Sequence, residues 1–145
     1  MDILKLLPLF VLIFSSFCIP IPMVYAEDVT ETFEGGMDLQ ITHPESVMIG
    51  RTFSVAIHLE NNGWENKQDI SFTISNPDSA FIALGSEIYE IPELTTSSSF
   101  GTTLDYEVTN NTNEGTHFLN ISYSQVLVSN NVVPNELEVV SSGIL

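Results

Sequence analysis

Oxygen-bearing side chains gather at two points where the chain is expected to turn, and they are the residues best suited to hold a metal. The first group consists of Asn61, Asn62, Glu65 and Asp69, and the second of Asn110, Asn111, Asn113 and Glu114. Carboxylate and amide oxygens are the ligands that calcium prefers. Neither group has the spacing of an EF-hand loop, and Asn, Asp and Gly are also ordinary turn residues. Two interpretations follow: plain turns, or calcium bound by Glu65, Asp69, Asn113 and Glu114.

The single tryptophan, Trp64, directly follows the turn signal Asn61-Asn62-Gly63. An indole beside amide groups is typical of a platform for a sugar or of a hot spot for a protein partner. Trp64, Asn61 and Asn62 are therefore the candidate binding residues. The alternative is that Trp64 packs as a cap over the open end of a core.

Two segments match the acceptor pattern for N-glycosylation, Asn-x-Ser/Thr. They begin at Asn110 and at Asn120. Asn120 alternates with Leu119 and Ile121, so its side chain is expected to point to solvent on a strand.

No catalytic motif is present. The chain has neither a nucleophile elbow nor a glycine-rich phosphate loop, and no pair of carboxylates stands out for glycoside hydrolysis. His43, His58 and His117 are widely spaced and fit ordinary strand positions. The only cysteine, Cys18, precedes the mature chain, which excludes disulfides and a thiolate copper site there. We expect no enzyme and no cofactor apart from the calcium considered above.

The charge is strongly negative. The formal net charge is −16, and of the three basic and 19 acidic residues only Lys5 and Asp2 precede Glu27. The remaining basic residues are Arg51 and Lys67. Such a chain repels a phosphate backbone and an anionic membrane surface, so nucleic acid is excluded as a partner and membrane contact is expected only through an uncleaved leader.

Residues 1–26 are predicted to be a signal peptide. Lys5 precedes an uncharged, mostly apolar run from Leu6 to Ala26, which Pro20 and Pro22 interrupt before the polar Glu27. A basic residue, an apolar run, a helix breaker and a small residue at the end are typical of a secretory leader. The run is also about 20 residues long, enough for an uncleaved anchor. Either interpretation exports the rest of the chain to the cell surface or beyond.

Alternating apolar and polar residues dominate the rest of the sequence. The clearest case runs from Phe53 to Leu59, and no segment has the period of an amphipathic helix. The predicted strands begin near Met37, Phe53, Ile70, Phe81, Ile88, Leu104, His117 and Val132. Their apolar faces need a second sheet to cover them. The strand pattern thus predicts an all-β fold of seven to eight strands, a two-sheet antiparallel sandwich or a barrel, and the sandwich is favoured because its second sheet covers the apolar faces; the immunoglobulin-like form of that sandwich is what the family resemblance described below implies.

The predicted sandwich spans residues 37–140. Residues 27–36 are expected to form a flexible acidic lead-in, and residues 141–145 a tail. Pro134 lies in the last predicted strand, which favours an edge position because proline cannot donate to a ladder on that side.

Three segments carry a family resemblance. They are the alternating strand and turn from Phe53 to Gly63, the returning strand Ile70–Ile74, and the glycine-led strand from Gly115 to Tyr123. This arrangement resembles the immunoglobulin-like modules of the CARDB and NEW3 type, common on bacterial and archaeal cell surfaces. The resemblance implies an archaeal surface protein with an adhesive, spacer or carbohydrate-associated role, and it brings no catalytic residues.

Together these observations predict a non-catalytic extracellular interaction module. It would bind a cell-surface protein or glycan, or serve as a small accessory subunit of an envelope complex. A calcium- or small-ligand-binding exported protein is the alternative, and a small hydrolase is a more remote one.

Overall fold

The computed structural model describes residues 26–33, 35–125 and 128–141. Apart from Ala26, the predicted signal peptide lies outside these residues, as do residues 142–145 of the predicted tail. Within the described part of the chain, no helix has the length and hydropathy needed to cross a membrane.

Ten strands form two five-stranded sheets that pack as a sandwich. The strands are β1 (Ala26–Phe33), β2 (Met37–Pro44), β3 (Ser46–Met48), β4 (Thr52–Asn61), β5 (Lys67–Ser75), β6 (Phe81–Ala83), β7 (Ile88–Leu94), β8 (Ser99–Val108), β9 (Gly115–Gln125) and β10 (Val128–Val140). One sheet has the order β1-β2-β4-β8-β6 and the other the order β3-β10-β9-β5-β7. The predicted two-sheet, all-β sandwich is confirmed, and all eight predicted strands are present.

Two strands were not predicted, and both have weak patterns. The acidic lead-in forms β1, which pairs along its whole length with β2. Its acidic side chains face solvent, while the Phe33 ring stacks on Tyr123 of the opposite sheet with ring centroids 4.4 Å apart. Strand β3 has three residues and runs parallel to the end of β10, so the sandwich is not wholly antiparallel. A three-residue strand is too short to show a period.

The prediction of an edge position for the last strand is only partly right. Strand β10 lies between β9 and β3, but β3 contacts it only at Glu138–Val140. Pro134 pairs with Asn120 of β9, and among the described residues no strand lies on its other side. The missing N–H of Pro134 therefore costs no ladder hydrogen bond.

The core lies between the sheets and consists of the inward residues of each alternating strand. Met37, Leu39 and Ile41 of β2 and Val55, Ile57 and Leu59 of β4 are all buried. Phe72, Leu119 and Ile121 are buried on the opposite sheet. Each fully buried large apolar side chain stabilises the fold by about 1.5–3 kcal/mol relative to exposure.

Two tyrosines are buried in this core with only their hydroxyls reaching polar groups. The hydroxyl of Tyr123 donates to Gln125 Oε1 at 2.6 Å, and that of Tyr106 donates to Glu87 Oε1 at 3.2 Å. Burial raises the pKa of Tyr123 to about 12. Burial also raises the pKa of Tyr106 well above its usual value, and the carboxylate of Glu87 adds to the effect.

Candidate functional site: the Trp64 turn

Trp64 is the most exposed large apolar side chain among the described residues. It lies in the connection between β4 and β5, residues 61–66, which we call the Trp64 turn. Its side chain is 98% exposed. The interpretation of Trp64 as a cap over the core is therefore wrong. The remaining interpretation, an aromatic contact surface, is sterically open.

Asn61 holds the Trp64 turn from inside the protein. Its side chain is buried, and its Nδ2 donates to the carbonyl oxygens of Glu65 and Leu94, both at 2.9 Å. Its Oδ1 accepts the backbone N–H of Gly63 at 3.0 Å. Both polar atoms of the Asn61 amide are engaged, so Asn61 fixes the turn, and Asn62 and Trp64 are the predicted residues that a partner can reach.

Close packing of two glycine-containing turns adds to this rigidity. Gly35 and Gly36, between β1 and β2, lie directly against Gly63. A Cβ atom on Gly36 would lie 2.7 Å from the Gly63 Cα, and one on Gly63 would overlap the carbonyl oxygen of Gly35. The N–H of Asn62 also donates to Gly36 O at 2.8 Å. The two backbones can approach this closely because both partners lack side chains, and their contact fixes the position of the turn.

Asn66 ties the far side of the turn to a neighbouring loop. Its Nδ2 donates to Glu93 Oε1 at 3.1 Å, and its Oδ1 accepts the N–H of Thr96 at 3.1 Å. The turn is thus held by backbone and side-chain hydrogen bonds along its length, and Trp64 is presented from a fixed frame.

Polar and charged groups surround the indole. A shallow cavity of about 380 Å³ is lined by Gly35, Gly36, Asn62, Gly63, Trp64, Glu65 and Lys67. The Asn62 Nδ2 donates to Asp38 Oδ2 at 2.7 Å. Hydrogen bonds from Thr32 and then Asn62 lower the pKa of Asp38, which keeps this carboxylate ionised beside the turn. An aromatic face with an ammonium, a carboxylate and an amide nearby suits binding and offers no activated nucleophile.

The predicted calcium ligands lie in different settings. Glu65 and Asp69 are both exposed, and Asp69 has a positive φ of 51° where the β5–β7 ladder skips a residue. Glu114 accepts the N–H of Ser141 at 2.9 Å, and hydrogen bonds from the Ser141 side chain and then from its backbone N–H lower the pKa of Glu114. The carbonyl of Asn113 accepts a hydrogen bond from His117 Nε2 at 2.9 Å. Within the described ranges, no three His, Cys, Asp or Glu side chains come together in a way that could hold a metal.

The two glycosylation candidates differ in access. Asn110 is exposed in the turn between β8 and β9. Asn120 is half-buried in the middle of β9, where it pairs with Ser75 of β5 on one side and Pro134 of β10 on the other. A glycan is more easily accommodated at Asn110, and modification of either residue stays a prediction.

None of the three histidines lines the cavity at the Trp64 turn, and His43 has a feature that the sequence did not indicate. His58 is exposed, and His117 contacts Asp78 Oδ2 at 2.9 Å. His43 is buried, and its Nδ1 donates to Pro44 O at 2.9 Å. Its Nε2 and the Oδ1 of Asn135 have no hydrogen-bond partner among the described residues, and both residues line a small enclosed cavity between the sheets. His43 and Asn135 belong to different sheets, so only the packing of the two sheets brings these residues to the same cavity.

Comparison with known proteins supports the fold. No protein-family model and no curated protein matches the chain. Among solved structures, the chain is similar to the crystal structure of the CARDB domain of the Pyrococcus furiosus protein PF1109, determined in complex with di-metal ions. The TM-score is 0.53 with 17% identity, and the match covers 77% of this chain and 95% of that domain.

Two further structures give a similar result. The solution structure of the same Pyrococcus domain matches with a TM-score of 0.50 and 16% identity, over 83% of this chain and all of that domain (100%). The alpha-2-macroglobulin of Escherichia coli matches with a TM-score of 0.58 and 7% identity, over 74% of this chain but 8% of that protein. The predicted CARDB-type immunoglobulin-like fold is thereby confirmed, at an identity that supports the fold alone.

Proposed function

We propose that this chain is a non-catalytic interaction module outside the cell and that the Trp64 turn is its contact with a cell-surface protein. The observation that carries the proposal is the 98% exposure of Trp64 on a turn held by the buried Asn61. The CARDB-type fold and the predicted leader support a place at the cell surface.

The energetic argument rests on an indole that the fold leaves uncovered. Covering a tryptophan removes up to about 200 Å² of surface, worth about 4–5 kcal/mol at 25 cal/mol per Å². Association must offset the cost of ordering the contacting loops. The hydrogen bonds of Asn61 and Asn66 have already ordered this turn, so a partner that covers Trp64 does not incur the additional cost of ordering it.

The charges around the turn favour a basic protein surface over an acidic glycan. The chain has a net charge of −16, Glu65 lines the cavity beside the indole together with Lys67, and Asp38 accepts a hydrogen bond from Asn62 of the turn. A partner arginine could stack on the face of Trp64 and pair with Glu65, which combines a cation–π contact with an ion pair. A polyanionic sugar would be repelled by the same carboxylates.

The test is a pull-down from the detergent-solubilised envelope of the source organism with the wild-type chain, Trp64→Ala and Ile88→Ala. Ile88 is also exposed, at 62%, and lies on the edge strand β7, so Ile88→Ala removes exposed apolar surface at a site away from the turn. We expect one envelope protein to be recovered by the wild type and by Ile88→Ala, and at least tenfold less by Trp64→Ala. Equal recovery by all three chains would contradict the proposal.

Two further arms separate a protein partner from a glycan. Protease treatment of the envelope extract should abolish capture, and raising the salt concentration should weaken it because a charged contact is screened. Capture that survives protease would assign the turn to a glycan and overturn the choice of a protein.

Cation binding is the second candidate, because the Pyrococcus domain of similar fold was determined with di-metal ions. In this chain the exposed carboxylates of Glu65 and Asp69 are the candidate ligands, since Glu114 already caps Ser141. Thermal melting with and without millimolar calcium tests it, because a ligand that binds only the folded state raises the midpoint. An unchanged midpoint would remove this candidate.

A further inference from the structure

A cleft opens in the first sheet where β2 separates from β4. The pairing of these strands ends at Thr42 and Ala56. Beyond that point β2 continues towards β3, which joins the opposite sheet by pairing with β10. The space between the diverging strands is a cavity of about 510 Å³, within the size range of known ligand sites.

One wall of this cleft is an open strand edge. Residues Thr52–Val55 of β4 pair with β8 on one side, and among the described residues no strand lies on the other. The N–H of Asn62 points towards the β2 side, where Gly36 O accepts it. Because alternate residues of a strand present their N–H and C=O to the same side, those of Ser54 and Thr52 also face that side, into the cleft.

The other walls are largely apolar. Pro44, Val47 and Met48 line one side, and Phe53 and Ala56 line the other. Apolar walls alone would suit a lipid or a peptide. The backbone groups of Ser54 and Thr52 favour a peptide, because an extended chain can pair with them and an alkyl chain cannot.

Arg51 supplies a positive charge to the cleft, and this charge would orient a ligand that has a negative end. It is one of two basic residues after Lys5, it lines the cleft, and no described carboxylate lies within 4.0 Å of it. Two hydroxyls on the cleft walls donate to acidic side chains: Ser54 donates to Asp105, and Thr42 donates to Asp28. A guanidinium that has no carboxylate partner in the described part of the chain is complementary to a carboxylate of a ligand in this apolar cleft.

We infer that this cleft binds an extended peptide segment of a partner protein, with apolar side chains on alternate residues and a terminal carboxylate that pairs with Arg51. The segment would add as a strand along Thr52–Val55. This goes beyond the function proposed above, because the cleft and the Trp64 turn lie at opposite ends of β4, where Ser54 in the cleft and Asn61 in the turn are seven residues, or about 23 Å at 3.3 Å per residue, apart. Either site can fail without the other.

The experiment is an NMR titration of the ¹⁵N-labelled chain with an equimolar library of acetylated hexapeptides. The library carries Val, Ile, Leu or Phe at alternate positions and Thr between them, with a free carboxyl end. We expect shifts at the amides of Thr52 and Ser54 and slower hydrogen exchange there, with unchanged amides in the Trp64 turn. The same library with N-methyl groups on alternate residues should give no shifts, because its backbone cannot pair.

Three variants identify the cleft as the binding site. Ala56→Trp fills it, whereas Ser99→Trp places the same ring on an exposed position opposite Glu60, at the other end of the sheet. We expect Ala56→Trp to abolish the shifts and Ser99→Trp to keep them, with melting temperatures showing that both chains fold. Arg51→Gln should weaken binding of the free-acid library at least fivefold and leave an amidated library unaffected.

Three outcomes would overturn the inference. The first is that the amides of the cleft show no chemical-shift changes at millimolar concentrations of the peptide library. The second is that the N-methylated library causes equal changes. The third is that decanoate changes the chemical shifts of the cleft amides and the peptides do not. The last outcome would assign the cleft to a lipid.

Discussion

Replacement of Asn61 by alanine is the most direct test of how the Trp64 turn is held. The substitution removes three hydrogen bonds and leaves the carbonyls of Glu65 and Leu94 and the N–H of Gly63 without partners. An unsatisfied buried polar group costs about 1–3 kcal/mol, and water entering at the part-buried Glu65 carbonyl recovers some of it. We therefore expect a loss of about 3 kcal/mol in the free energy of unfolding.

Urea denaturation followed by far-ultraviolet circular dichroism measures this loss. Tryptophan fluorescence is unsuitable because Trp64 is exposed before unfolding as well as after it. With a slope of about 2 kcal/mol per molar urea, the midpoint should fall by about 1.5 M. Hydrogen exchange should also become faster at the amide of Gly63, whose acceptor has been removed.

Asn62→Ala is the matched control, since its exposed side chain makes one hydrogen bond to Asp38. We expect a change within about 0.5 kcal/mol, as for other surface substitutions. A loss below about 1 kcal/mol for Asn61→Ala, or equal losses for the two variants, would refute the argument that Asn61 holds the turn from inside.

Three further results are expected. Gly63→Ala should lower the free energy of unfolding by several kcal/mol because the new Cβ overlaps Gly35 O. Gly101→Ala is the control, because the nearest atom to its new Cβ would lie 3.7 Å away, and it should melt close to the wild type. Leu39→Ala in the core should cost about 3 kcal/mol in urea denaturation, and a loss below 1 kcal/mol would contradict the assigned core. Burial raises the pKa of Tyr123 to about 12 in the folded chain. The contribution of its neutral hydroxyl to the free energy of unfolding is therefore complete below pH 10 and is lost as the pH rises towards 12. In Tyr123→Phe the free energy of unfolding should fall less steeply between about pH 10 and 12 than in the wild type. If the two curves of unfolding free energy against pH are parallel, this assignment is wrong.

Much of the fold follows from side-chain alternation. Segments such as Phe53–Leu59 have one apolar face, and a strand buries that face only against a second sheet. The resemblance to CARDB-type modules rests on the same segments, and the structural match confirms it. The acidic strand β1 escaped prediction because only Val29 and Phe33 face inward among many charged residues. Its pairing with β2, rather than its own pattern, makes it a strand.

The candidate site was only partly predictable. The turn signal Asn61-Asn62-Gly63 located the Trp64 turn correctly, because these residues favour tight turns whatever surrounds them. The exposure of the indole and the packing of Gly35 and Gly36 against Gly63 are features of the folded chain, and the glycine contact joins segments more than 25 residues apart in sequence. No local pattern carries that contact.

The sequence by itself determined the all-β architecture, the strong negative charge and the absence of catalytic motifs. These properties depend on composition, on short motifs and on the two-residue alternation of apolar and polar side chains. The tertiary structure decided that Asn61 is buried, that Trp64 is exposed, and that β2 and β4 part to form a cleft beside Arg51. These features arise where strands distant in sequence meet or separate. They are set by which backbones fit together, and a linear pattern of residues does not specify that.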